Sequence, residues 1–365
     1  MAEPRSRIFK YTLFLLIILH MLNVFFWLQL NVWPMGKAVD MHLSSFVKWA
    51  QAVEHCPDAA TFLFVNVEIP PFFYWVAMLL KSYAQSYRGI FCAPMVFWVI
   101  LVLSVYGIGK RLKNRETGLI ASIFCAFFPI IYKGSIIFNL EMATTAGVSA
   151  IIYVLLLSNN FSHRGYALLL GVSLGIGLLI RAFVPLFVVG PFLVSWFYQK
   201  NDTQMLRLSA SKERLINVFL IAGIATLIAA IFYCRMETFS VLAHRLIAED
   251  KVSEKNIITF AHLTFYAKAL PMQVGGMVSL LFLAGFVCLM FEKGFEKAIL
   301  FSWLVPAFLT MTFIVKKNES YSMSYIPAVG LIIAVVLQKI KPVWIKKLVV
   351  LSIVVLSMCQ YFKYF

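Results

Sequence analysis

Apolar runs of about twenty residues return along the whole of this 365-residue chain, and that recurrence constrains the fold more than any other feature. In hydrocarbon each backbone N–H and C=O must find its partner inside the segment, so such runs read as helices that cross a bilayer. Eleven spans are expected, near residues 8–30, 89–109, 117–133, 140–158, 165–180, 183–199, 215–233, 274–291, 298–315, 321–339 and 344–361. The first is long and has no small-residue cleavage site, so it is expected to stay as a helix rather than serve as a leader. Composition agrees. Hydrophobic residues make up 62% and charged residues 13%, where an ordinary globular domain has about 45–50% and about 25%. The net charge of +16 points to Lys and Arg at membrane edges rather than to a nucleic-acid partner. The six cysteines are scattered without a C-x-x-C pair, which argues against a metal or redox centre.

One stretch breaks the pattern. In FLFVNVEIPPFFYWVAMLLKSY, residues 62–83, the apolar run between Pro71 and Lys81 is too short to span. The charge balance of the loops says which way the chain runs. If residues 70–80 do not cross and the N-terminus is inside, 18 of the 32 Lys and Arg fall in short inner loops. If they do cross, KRLKNRE (110–116), the 199–214 loop and KIKPVWIKK (339–347) all land outside, against the positive-inside rule. Residues 70–85 are therefore expected to form an interfacial helix on the outer face. Pro70 and Pro71 suit its first turn, and Phe72 to Trp75 suit the headgroup boundary. Residues 1–365 read as a single all-α polytopic membrane domain with two long outer loops, 31–88 and 234–273.

Ionisable residues beside or inside spans are costly and so mark candidate sites. Asp40 follows the first span, as a solvated loop acid, a helix N-cap or a functional carboxylate. Glu141, between Leu140 and Met142, needs a partner or a wet cleft. Arg181 ends the fifth span and either snorkels to headgroups or binds an anion. Lys316 and Lys317 sit on the outer side against the charge rule, as if held by an anion. Two acids and several cations at the outer surface suit transfer of a lipid-linked phosphosugar. The cations would hold the phosphate while a carboxylate takes the proton of an attacking hydroxyl. No glycine-rich phosphate cradle for a nucleotide sugar is visible.

Several segments, taken in order, resemble the GT-C-type membrane glycosyltransferases, in the branch of dolichyl-phosphate-mannose protein mannosyltransferases and lipid A aminoarabinose transferases. They are Asp40 after the first span, EIPPFFYWV, GKRLKNRETGLIASIF, NLEMATTAGVSAIIYVLLLS, RGYALLLGVSLGIGLLIRAFVPLFVVGP and YSMSYIPAVGLIIA. The likeness runs over residues 8–200 and, more thinly, 300–340. It implies a GT-C-like fold of about eleven transmembrane helices with interfacial helices in the first outer loop. It also implies an inverting transfer from a polyprenyl-phosphate sugar to a lipid, glycan or protein acceptor at the periplasmic face of the inner membrane. Asp40 carries over as catalytic base and Glu141 as the second-loop acid. Donor-phosphate contacts are assigned to Arg181, Lys316 and Lys317, and the cleft to Glu68, Tyr74 and Tyr321. A divalent metal is left open, and no other cofactor is implied. Two positions depart from the pattern: Ile69 stands where a lysine is usual, and Ser320 where an arginine or histidine is usual. A ligase or polymerase of lipid-linked glycans is the nearest alternative. A transporter or flippase would instead show inverted repeats and acids at the membrane midplane.

Overall fold

The computed structural model describes residues 3–30, 37–55, 70–198, 207–234, 259–314 and 317–363, and all of its regular elements among these are helical. Among the described residues five helices are long and apolar enough to cross a membrane, or seven if two sharply bent pairs each count as one span. Each of the eleven expected spans coincides with a helix or a bent pair.

The chain opens with α1 (Glu3–Leu30) and α2 (Lys37–His55). The expected non-spanning segment follows as α3 (Phe72–Ala84), which ends where Gln85 turns left-handed. Then come α4 (Cys92–Leu112), α5 (Arg115–Phe127), α6 (Pro129–Ile136), α7 (Leu140–Leu157), α8 (Arg164–Ile180) and α9 (Val184–Phe197). The chain continues through α10 (Arg207–Tyr233), α11 (Phe260–Leu263), α12 (Phe265–Val274), α13 (Gly276–Met290) and α14 (Phe295–Phe313). A 3₁₀ segment, Glu319–Tyr325, leads into α15 (Ile326–Leu337), and α16 (Val343–Lys363) closes the chain.

One expected span, 117–133, is broken, and a second sharp bend lies at the start of the expected span 274–291. Pro129 cannot continue the helix that arrives at Phe127, so α5 and α6 meet at 64°. Gly275, with φ 104°, separates α12 from α13, which diverge by 119°. A third surprise is α2. Residue 40 lies inside the first turn of this helix, within the stretch the sequence read as the first outer loop. The helix forms because Phe46, Trp49, Ala50 and Val53 share one buried stripe at helical spacing.

Helix α7 and the Glu319–Leu337 stretch that holds α15 fill the centre and are mostly buried, while α10 turns most of its surface outward. Close approach between neighbours depends on missing side chains. A Cβ on Gly190 of α9 would stand 1.9 Å from the Ser302 carbonyl of α14. Likewise one on Gly109 of α4 would meet the Gly118 Cα of α5 at 2.6 Å.

Above this bundle, α2 and α3 pack through aromatic rings rather than through lipid. Phe73 and Tyr74 are fully buried, and with Phe46 and Phe138 they form a cluster with centroids 4.9–6.2 Å apart. Placing these two rings at the headgroup boundary is thus corrected, because the face that carries them meets α2 and the Phe138 loop. Leu79 and Tyr83, on the opposite face of α3, are the exposed ones. An ion pair between Lys81 and Glu54 ties the outer ends of the two helices together.

Candidate functional site

The site begins where α8 stops. Arg181 is extended, its amide closing the last turn on the Gly177 carbonyl at 2.9 Å, and Pro185 lets α9 start at once on a new axis. The break turns the guanidinium toward the first turn of α7, where its Nη1 donates to Glu141 Oε1 at 2.8 Å. The Glu141 side chain is 8% exposed and that of Arg181 22%. An acid in a first turn also faces the positive end of its helix, so α7 stabilises Glu141 as a carboxylate. Neither charge would be tolerated here without the other.

Three more side chains close around the pair. Tyr321 comes from the 3₁₀ segment and lays its ring against the Arg181 guanidinium, 5.0 Å from centroid to Cζ. That segment is tied down at three points. Tyr266 donates to the Asn318 carbonyl at 3.2 Å, Gln273 to that of Glu319 at 3.1 Å, and Trp303 to that of Ser324 at 3.1 Å. His42 approaches from α2. Its imidazole is held below its ordinary pKa by burial and by the positive Arg181, with Glu141 acting in the opposite sense. Tyr74 supports it from α3: the hydroxyl donates to the His42 carbonyl at 3.3 Å and lies 3.4 Å from Nδ1. Tyr74 therefore sits beneath the lining of the site, and burial pushes its phenol up and keeps it neutral.

Lys317 is engaged at the end of a neighbouring helix. Its ammonium donates to the Met311 and Thr312 carbonyls at 2.8 and 2.5 Å, capping the C-terminus of α14, and lies over the Tyr266 ring at 5.1 Å. Glu68, Lys316 and the side chain of Asp40 fall outside the described residues. The structure thus brings together Glu141, Arg181 and Tyr321 and adds His42, which the sequence did not single out. Its only signal was the buried stripe of α2, four residues ahead of Phe46. Among the described residues no group of three or more His, Cys, Asp or Glu could hold a metal ion.

Chemically, the cluster offers a five-donor guanidinium bonded to Glu141 and in contact with Tyr321, a fixed carboxylate, a neutral imidazole and a phenol. That set binds an oxyanion beside a hydroxyl better than it binds a metal.

Residues 68–228 match the family model of dolichyl-phosphate-mannose-protein mannosyltransferases. This range includes Glu141, Arg181 and Tyr74 but neither Asp40 nor Tyr321. No curated protein matches the chain. Among solved structures, ArnT from Cupriavidus metallidurans bound to undecaprenyl phosphate superposes with a TM-score of 0.70 at 13% identity, over 97% of this chain and 64% of that one. The apo form of the same enzyme gives 0.67 at 16%, over 93% and 62%. The apo oligosaccharyltransferase of Archaeoglobus fulgidus gives 0.61 at 14%, over 97% and 55%. This chain spans less than two thirds of the length of each of them. It has the GT-C fold of ArnT and the oligosaccharyltransferase, and over residues 68–228 it matches the dolichyl-phosphate-mannose-protein mannosyltransferases.

Proposed function

We propose that the chain is a membrane glycosyltransferase that moves one sugar from a polyprenyl-phosphate carrier to a hydroxyl on a lipid, glycan or protein, with inversion. The observation that carries this is the buried Arg181–Glu141 pair under the Tyr321 ring, next to the helix that bears Asp40, on the fold of an enzyme solved with undecaprenyl phosphate. The reaction is a single displacement. The acceptor oxygen forms its bond to the anomeric carbon while the carbon–oxygen bond to the carrier phosphate breaks. The electron pair leaves with the phosphate, and the hydroxyl proton passes to a carboxylate. Asp40 is the base in this reading, since Glu141 is committed to Arg181 and is the poorer proton acceptor. Arg181 holds the leaving phosphate with help from Lys316 and Lys317, and Glu68 and Tyr321 border the cleft. Charge balance of the loops supports a cleft on the periplasmic face of the inner membrane.

The test is sugar transfer by the purified chain in detergent, from a polyprenyl-phosphate sugar to a hydroxyl acceptor. Asp40→Asn keeps size and hydrogen bonding but removes basicity, and is expected to lower kcat by about 10²- to 10⁴-fold. Glu141→Gln is expected to cost less. A near-normal rate for Asp40→Asn would remove it as the base.

A further inference from the structure

Glu141 and Arg181 stand at the far ends of two antiparallel helices that grow from one short turn. Helix α7 runs down from Glu141 to Leu157, residues 158–163 reverse the chain, and α8 climbs from Arg164 to Arg181. At about 1.5 Å per residue, the turn lies about 25 Å from the ion pair.

Its backbone is unusual. Asn159, Asn160 and Phe161 have φ of 48°, 56° and 64°, three successive non-glycine residues in the left-handed region. Asparagine visits that region readily, but a bulky residue such as phenylalanine does not. The surroundings hold it there. Asn217 of α10, itself buried, donates to the Phe161 carbonyl at 2.7 Å, and the Phe161 amide donates to Ser158 Oγ at 3.2 Å. Asn160 donates to the Tyr198 carbonyl at 3.1 Å, just beyond α9. The buried Phe161 ring packs on Phe192 and Trp196 of α9. Arg214 of α10 donates to the Trp196 carbonyl at 2.7 Å and lies over that indole. Two further helices thus grip one turn.

Between the turn and the site, isoleucines meet glycines at two levels. A Cβ on Gly177 would stand 2.9 Å from Ile151 Cδ1, and one on Gly147 3.4 Å from Ile180 Cδ1. Sliding α8 by one residue would lose both fits. It would also carry Arg181 about 1.5 Å along and about 100° around the helix axis, out of reach of Glu141.

We propose that the left-handed turn at 159–161, clamped by Asn217, sets the register of α7 and α8 and so positions Arg181 on Glu141. Asn217 and Phe161 are then positioning residues acting through the pair. The consequence for donor binding rests on the phosphate-holding role proposed for Arg181, whereas the register itself does not.

The experiment is a double-mutant cycle between Asn217→Ala and Arg181→Ala, read in two ways on the purified chain in lipid nanodiscs. The first readout is the Kd for undecaprenyl phosphate. Asn217→Ala is expected to weaken binding about tenfold in the parent, the scale of one charge-assisted contact. In the Arg181→Ala background it should weaken binding less than about twofold. Equal losses in both backgrounds would overturn the proposal. The second readout is the ligand-free unfolding midpoint, where the two substitutions should again be less than additive; strict additivity would overturn it. If Arg181→Ala binds undecaprenyl phosphate as well as the parent does, the phosphate reading fails, and the ligand-free cycle still decides the register. Asn159→Gly keeps the left-handed backbone and all the side-chain contacts named above, and should bind like the parent; a loss as large as that of Asn217→Ala would overturn the proposal. Should Asn217→Ala not fold, Asn217→Ser and a single glycine inserted between Asn159 and Asn160 carry the same comparison.

Discussion

Arg181 donates to Glu141 at 2.8 Å across forty residues of sequence, so the end of one core helix is bolted to the beginning of another. Removing either partner leaves a buried charge unmatched, at a cost of about 3–5 kcal/mol. Glu141→Gln and Arg181→Ala should therefore each lower the unfolding midpoint in detergent. The joint replacement Glu141→Gln with Arg181→Met removes both charges and should recover most of that stability, yet transfer no sugar. Activity in the double variant would show that the pair is structural only.

His42 gives the protein a pH dependence whose sign is fixed by the direction of its shift. Its folded pKa lies below the ordinary 6.5, lowered by burial first and by Arg181, against the pull of Glu141. Below that ordinary value the unfolded chain takes up a proton that the folded imidazole resists. The stability it contributes is thus complete above 6.5 and is lost as pH falls through the folded value. Unfolding midpoints measured from about pH 8 down to about pH 5 should fall more steeply for the parent than for His42→Gln. Tyr74, which faces the same ring, stays neutral throughout and does not contribute. Parallel curves for the two proteins would remove His42 from this role.

Gly190 should accept no side chain. Its Cβ would stand 1.9 Å from a backbone carbonyl, which cannot rotate away as a side chain can. Gly190→Ala is expected to force α9 from α14 and cost about 1–3 kcal/mol or more. Gly223, with open space around it, is the control: Gly223→Ala should be neutral or slightly stabilising, because alanine favours the helix. The comparison needs only thermal unfolding of two variants.

The orientation is checked with single cysteines at Ser86 and Arg111 in a cysteine-free background. Both side chains are exposed, on opposite ends of the Tyr87–Leu112 span. Ser86→Cys should react with an impermeant maleimide in intact cells and Arg111→Cys only after permeabilisation. The reverse pattern would put the site on the inner face.

Much of the helix plan was legible because length and hydropathy alone decide what a bilayer accepts. The break inside the third expected span was written in Pro129 but was passed over, since the apolar run continues through it. Burial of Phe73 and Tyr74 was not legible, because a short helix shows which face is greasy and not whether lipid or protein will cover it. Glu141 and Arg181 were both found, but with separate roles. Their pairing depends on the register of two helices, and no local pattern encodes that. Lys317 was found by its charge, but its two carbonyl partners on α14 were not legible, because they exist only once that helix has ended. His42 stayed hidden because a lone histidine has no spacing to reveal it.

The 64° bend between α5 and α6 has a consequence for the surrounding lipid. Thirteen residues of α5 followed by eight of α6 give a dog-leg whose rise along the α5 axis is about 25 Å, against about 30 Å for the hydrocarbon of a typical bilayer. A bent pair of that rise falls about 5 Å short of a typical hydrocarbon core, and where it meets lipid the shortfall is taken up by local thinning or by flanking side chains, at a cost that grows with acyl chain length. Reconstitution in bilayers of increasing thickness should accordingly slow turnover without unfolding the chain, making hydrophobic thickness a physical control on this centre.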